Sequence, residues 1–164
     1  MDLDTLMAGV SRRMNLPLKL DPETRRCVLQ DKESHLEILI EFPQRNTALF
    51  IYSPLMQLPK EIDQAKFLES LLELNLFGLQ TNGTTIGFDR KHGHIVLHHS
   101  VPLEFVDEQI FVNVLTNFIA TARKISSRIS DLQLVNQKRA KIANTHYTPA
   151  ENAKPRQSMR IVRI

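Results

Sequence analysis

The stretch from Glu61 to Phe77 constrains this chain more than any other, because it holds no glycine, no proline and only one β-branched residue, Ile62. Such a run reads as helix, and Pro59 ahead of it suits the first helical position, where a missing N–H costs nothing. Its apolar residues Phe67, Leu68, Leu71, Leu72, Leu74, Leu76 and Phe77 cover more than one face of that helix. One domain core cannot easily absorb all of them, so a further protein surface is expected to cover some.

The other segments alternate between helical and strand periods. Leu3, Leu6, Met7, Val10 and Met14 recur at steps of three and four and predict a first amphipathic helix that ends before Pro17. Cys27 to Gln30, His35 to Phe42 and Thr47 to Ser53 read as three strands joined by polar turns. Thr84 to Asp89 and His94 to His99 form a hairpin around a turn at Arg90 to Gly93, stopped by Pro102. From about Asp107, the positions Ile110, Val114, Phe118, Ala122, Ile125, Ile129 and Leu132 mark a third helix with acids at its start and bases further on. The order α-β-β-β-α-β-β-α partly segregates strands from helices, so the expected class is α+β with an antiparallel sheet.

A chain of 164 residues with a single cysteine supports one main domain without disulfides, as in a reducing cytoplasm. No apolar run approaches the roughly 20 residues of a membrane span, so membrane insertion is not expected. The net charge of +3 is unevenly spread: residues 137 to 164 hold seven bases against the single acid Glu151, leaving the rest mildly acidic. We divide the chain at 1–132, the folding domain, and 133–164, a basic tail expected to be largely disordered and dispensable for the fold. Within the tail no apolar pattern is sustained until Met159-Arg160-Ile161-Val162-Arg163-Ile164. The tail reads either as a solvated terminus or as a contact for nucleic acid, acidic lipid or an acidic protein; without interleaved aromatics beyond Tyr147, single-strand stacking is not indicated.

No catalytic constellation emerges. Gly78 and Gly83 have the spacing of a phosphate loop, but Thr84 stands where lysine is required, and the helix precedes the loop instead of following it. His92, His94, His98 and His99 raise the question of a metal; His94 and His98 lie roughly 13 Å apart along a strand, and His98 and His99 face opposite sides, so neither pair can share one ion. Cys27 has no neighbouring histidine, and Glu37 and Glu41 alternate with apolar residues as a solvated strand edge does. No cofactor, metal or enzymatic activity is expected.

The order Leu71-Leu72-Glu73-Leu74-Asn75-Leu76-Phe77-Gly78, Asn82-Gly83-Thr84-Thr85-Ile86-Gly87-Phe88-Asp89, Gly93-His94-Ile95-Val96-Leu97 and Val101-Pro102-Leu103 resembles the class I type III secretion chaperones of the CesT/SycE (Tir chaperone) family. The amphipathic start and Ser53-Pro54-Leu55 agree, and the likeness covers residues 1 to about 132. It departs in Asn82-Gly83, in Val101-Pro102-Leu103 and in the basic tail. The resemblance implies a bacterial cytoplasmic homodimer that binds the extended N-terminal segment of one or more virulence effectors without ATP. It also implies presentation to the secretion apparatus, whose ATPase is a further candidate partner.

From the resemblance, the dimer interface is assigned to the second helix and the first hairpin strand, with Phe67, Leu68, Leu71, Leu74 and Ile86 as candidates. The effector site is assigned to the first helix and first strands, with candidates Leu3, Leu6, Met7, Val10, Met14, Leu39, Leu49 and Ile51; core packing is the competing reading for each. The competing function is a nucleic-acid-binding or regulatory protein acting through the tail, which steep salt dependence would reveal.

Overall fold

The structure, a computed structural model, describes residues 2–44 and 47–145. Helix α1 spans Leu3–Met14; Asp2 caps it by accepting from the amides of Asp4 and Thr5, and Asn15 ends it in a left-handed turn with φ 51°. Strands β1 (Arg26–Gln30), β2 (Glu37–Glu41) and β3 (Ala48–Gln57) follow, then α2 (Gln64–Asn75), β4 (Thr85–Asp89), β5 (His94–Pro102) and α3 (Glu108–Thr145). The five strands make one antiparallel sheet in the order β1-β2-β3-β5-β4, so the α+β expectation holds.

The core lies on one face of this sheet. Ile38, Ile40, Leu49, Ile51, Ile95 and Leu97 point into it and meet Leu6, Met7 and Val10 of α1 and Phe111, Leu115, Phe118 and Ile125 of α3. Phe42 and Phe111 meet edge to face at 6.1 Å. The alternate residues of the strands, among them Val28, Leu39, Phe50, Tyr52 and Val96, form the opposite face, and none of them is fully buried.

Several boundaries differ from the sequence reading; β2 is shorter than His35 to Phe42, and β5 runs past His99 to Pro102. Pro59 is not the first residue of α2; the helix starts at Gln64, where Asp63 accepts from the Lys66 amide at 3.2 Å. Strand β3 runs past Ser53 through Pro54 to Gln57. Pairing of Leu39 with Tyr52 and of Glu41 with Phe50 turns the even positions of β3 toward β2, so the missing N–H of Pro54 falls just beyond the last paired residues, Leu39 and Tyr52. Helix α3 continues through Thr145, so residues 133–145 of the expected tail are helical, and residues 146–164 lie outside the described residues.

Two polar fastenings set the positions of the edge elements. At the tip of the β1–β2 hairpin, Asp31 receives Arg123 of α3 through two hydrogen bonds of 2.8 and 2.5 Å, while Glu33 pairs with the same guanidinium. Arg123 and then the Ser34 contacts hold the Asp31 carboxyl well below its ordinary value of 3.8, against the opposing effect of burial. A depressed carboxylate stabilises the fold fully above that ordinary value and loses its contribution as pH falls below it. Asp31→Asn is expected to cost about 2 kcal/mol at neutral pH. Urea midpoints measured from pH 7 down to about 2.5 should fall less steeply below pH 4 in the variant, and equal slopes would refute the assignment.

The second fastening is Asn75. Its side-chain amide donates to the Ile86 carbonyl at 2.9 Å and accepts from the Ile86 amide at 2.8 Å. Both groups of Ile86 therefore point away from β5, toward the outer edge of the sheet, and Asn75 satisfies them there. The Asn75-Leu76 pair of the sequence is thus a clamp between α2 and an edge strand. Asn75→Ala would leave the Ile86 amide unsatisfied beside a side chain that is only 6% exposed, an expected loss of about 2 kcal/mol in urea unfolding. The glycines of the failed phosphate-loop match serve the same connection: Gly78 and Gly83 take φ +67° and +76°, and the Gly83 amide donates to the Gly78 carbonyl at 3.1 Å.

Candidate functional site

Helices cover one face of the sheet, which leaves an uncovered face, two sheet edges and the outer side of α2 as surfaces where chemistry or binding can occur. Edge β1 is open over part of its length. Hydrogen bonds from Phe42 to the Arg25 carbonyl and from Asp31 to the Leu36 carbonyl continue the β1–β2 ladder, so odd-numbered residues of β1 face β2 and even-numbered ones face outward. The Arg26 carbonyl is taken by the Asp21 amide, whereas Val28 and Gln30 have no outward hydrogen-bond partner among the described residues.

Beside that edge lies a groove of about 440 Å³ between the end of α1 and α3, lined by Leu16, Pro17, Val28, Leu29, Ile38 and Ile119 together with Asn15, Gln30, Asp31 and Lys32. Around the rim of the sheet, the uncovered face forms a broader concavity of about 660 Å³ whose lining includes Phe50, Tyr52, Pro54, Phe88 and Val96. Arg26 on its lining pairs with the cross-strand Glu41 at 3.0 Å, and the Tyr52 hydroxyl donates to the same carboxylate at 3.1 Å. Burial, and next the Glu41 charge, push the Tyr52 hydroxyl above its ordinary value, so it stays a neutral donor. These surfaces offer unpaired backbone groups and apolar hollows, which is equipment for holding polypeptide.

Most sequence candidates for effector contact belong to the core. Leu6, Met7, Val10, Leu49 and Ile51 are each at most 2% exposed, because α1 lies against α3 and the strands turn these residues inward. This corrects their assignment to a partner-facing surface. Leu3 and Met14 pack on the margin of the core, and Leu39 lies on the uncovered face beside Val28. Val28, absent from the sequence candidates, is 58% exposed; its position on an edge follows from long-range pairing that local sequence does not reveal.

Helix α2 divides its apolar residues in the same way. Phe67, Leu71 and Leu74 are buried in the chain's own core, as is Ile86, so of the interface candidates only Leu68 keeps accessible surface. The exposed apolar residues are instead Leu72, Leu76, Phe77, Leu79 and, on β4, Phe88. A hollow of about 210 Å³ runs between Leu68, Leu72 and Phe88. Phe77 adopts φ 56° in the 3-10 turn Leu76–Gly78, which carries its ring outward at 85% exposure.

The histidines are dispersed as the strand geometry requires. His98 pairs with Tyr52 and His99 with Ile51, on opposite faces of β5, and His92 pairs with Asp89 at 2.5 Å. Among the described residues no three His, Cys, Asp or Glu side chains converge as metal ligands, and no helix is long and apolar enough to cross a membrane.

The architecture is that of solved secretion-chaperone complexes. It matches a chain of the HopA1–SchA chaperone–effector complex with TM-score 0.58 and 20% identity over 79% of this chain and 93% of that one. It also matches the heterodimeric ExoU–SpcU complex from the type III secretion system of Pseudomonas aeruginosa, with TM-score 0.57, 19% identity, and 77% and 95% of the two chains covered. The Yersinia pestis type III secretion chaperone SycH bound to a YscM2 fragment gives 0.54, 15%, 74% and 97%. No curated protein matches the chain. These likenesses define the fold as that of a type III secretion chaperone. The profile of the Tir chaperone protein (CesT) family matches residues 5–126, and the chain belongs to that family. That family is one of chaperones, and the nucleic-acid alternative finds no support in it or among these structures.

Proposed function

We propose that this chaperone, in the bacterial cytoplasm and as a homodimer, holds the extended N-terminal segment of one or more effectors against β1, without nucleotide or catalysis. The observation that carries the reading is the open edge at Val28 and Gln30 beside an apolar groove. An extended segment pairing there gains main-chain hydrogen bonds, while alternate side chains enter the groove on one side and meet Val28 and Leu39 on the other. Each Å² of apolar surface so covered contributes roughly 25 cal/mol, against the cost of ordering the segment. The result is binding firm enough to keep a substrate unfolded, yet reversible when the export apparatus competes.

The dimer would form through the outer side of α2 and the neighbouring β4 edge, where Leu68, Leu72 and Phe88 line one apolar hollow. The test is co-purification from a strain with an active type III system, followed by limited proteolysis of the complex. We expect a secretion substrate whose protected fragment lies in its N-terminal part. Retention of a folded C-terminal domain, or of nucleic acid in a salt-sensitive manner, would overturn the reading.

A further inference from the structure

We propose that the uncovered face of the sheet holds a second polypeptide-binding site, a trough across β3, β5 and β4 that takes an acidic segment with apolar side chains between its carboxylates. This site stands apart from the β1 edge and does not depend on that assignment. Strand register builds the trough within the concavity of about 660 Å³. Pro54, Val96 and Gly87 lie side by side on β3, β5 and β4, so the floor is apolar and low, and it ends at a residue with no side chain. Two residues along β5 on either side of Val96 stand His94 and His98, about 13 Å apart at about 3.3 Å per residue, which leaves width for one extended chain between them. Phe50 and Tyr52 continue the lining on the His98 side.

Charge selects the occupant, because the acids beside the trough are already matched. Glu41 holds Arg26 and the Tyr52 hydroxyl. Asp89 accepts from the Lys91 and His92 amides at 3.0 and 3.3 Å and meets the His92 ring. What remains is basic. The exposed side chains of Arg90 and Lys91 in the β4–β5 turn, and the imidazoles of His94 and His98, have no hydrogen-bond or ion-pair partner among the described residues. Two permanent charges are too few for the phosphate contacts on which a nucleic-acid site relies, whereas two or three carboxylates on an apolar peptide match them and use the floor as well.

The imidazoles make the site proton-dependent. A Cβ added at Gly87 would lie 3.7 Å from His98 Cδ2, so the His98 ring leans over the floor. Partial burial there, and next the charge of His99, lower the His98 imidazole below its ordinary value, which leaves it neutral in the empty trough at neutral pH. The titratable and charged groups around it are Tyr52 on β3, Glu41 and Arg26 beyond it on β2 and β1, Asp89 on β4, and His92, His94 and His99; both acids are engaged. A ligand carboxylate supplies a free acid, raises the His98 value and draws in a proton. Binding therefore strengthens below the free-state value and weakens as pH rises through the bound-state value.

Titration of the full chain with the synthetic peptide Asp-Phe-Asp-Asp-Leu-Asp, followed by amide and imidazole NMR shifts, tests the inference. We expect shifts at Gly87, His94, Val96 and His98 and none at Val28 and Gln30, with binding at least about fivefold tighter at about pH 5.5 than at about pH 7.5. His98→Gln should remove most of that pH dependence. Gly87→Val fills the floor at a position where a Cβ meets only ordinary contacts, and should weaken binding at least about tenfold with an unchanged melting temperature. Arg90→Glu with Lys91→Glu, both on an exposed turn, should weaken it by a similar factor and reads the charge separately from the floor. The same peptide with asparagine for every aspartate should bind at least about tenfold more weakly than the acidic one. The inference is overturned if millimolar peptide shifts none of these residues, if affinity does not change with pH, or if the asparagine peptide binds equally well. Tighter binding of a six-nucleotide oligothymidylate than of the acidic peptide would overturn it too, by assigning the face to nucleic acid.

Discussion

Replacing Val28 by proline is expected to weaken effector binding by at least about 100-fold, roughly 2.7 kcal/mol, while leaving the chaperone folded. The Val28 N–H points away from β2, so the ladder loses nothing, and proline is tolerated in an edge strand when its nitrogen faces outward. The side chain is 58% exposed, so little burial is sacrificed and the stability change should stay within about 1 kcal/mol. An incoming strand, however, would lose a donor and meet the pyrrolidine ring where its own carbonyl must approach. Leu29→Pro is the contrasting case, because its N–H belongs to the β2 ladder and its loss should unfold the domain. Isothermal titration with the effector fragment defined by proteolysis reads the first effect and urea unfolding the second. Normal binding by Val28→Pro would remove β1 as the capture edge.

The contrast between Val28 and Leu29 marks where sequence reading succeeds and where it stops. Period-two and period-3.6 patterns locate every strand and helix and lead to the α+β class, because each pattern is imposed locally by the pleat or the helical turn. What the patterns leave open is which buried surface a stripe meets. Leu6, Met7 and Val10 look the same whether they face a core or a partner, and only the packing of α1 on α3 makes them core. Edge status is likewise nonlocal: β1 and β4 are edges because β3 pairs with β5 across an intervening helix and strand. Two missed features did leave signals. Asp63 is a better start for α2 than Pro59, and residues 133–145 contain no glycine or proline, which suits the continuation of α3.

Leu72→Asp is expected to convert the proposed dimer to a monomer of 18.9 kDa without loss of fold, whereas Leu71→Asp should unfold the chain. The two residues are neighbours on α2, but Leu72 is 69% exposed and Leu71 only 4%. An aspartate at 71 would sit unpaired inside the core, at a cost of several kcal/mol, comparable with the whole stability of a domain this size. At position 72 the charge is solvated in the monomer and is desolvated only when a second copy covers the α2 surface around Leu68 and Phe88. Sedimentation equilibrium at micromolar concentration should therefore give twice the chain mass for the parent and one chain mass for Leu72→Asp, with similar melting of the monomeric unit. A dimer that survives Leu72→Asp would place the interface elsewhere. A parent chain that is monomeric and well folded at that concentration would leave the exposed leucines of α2 to some other partner.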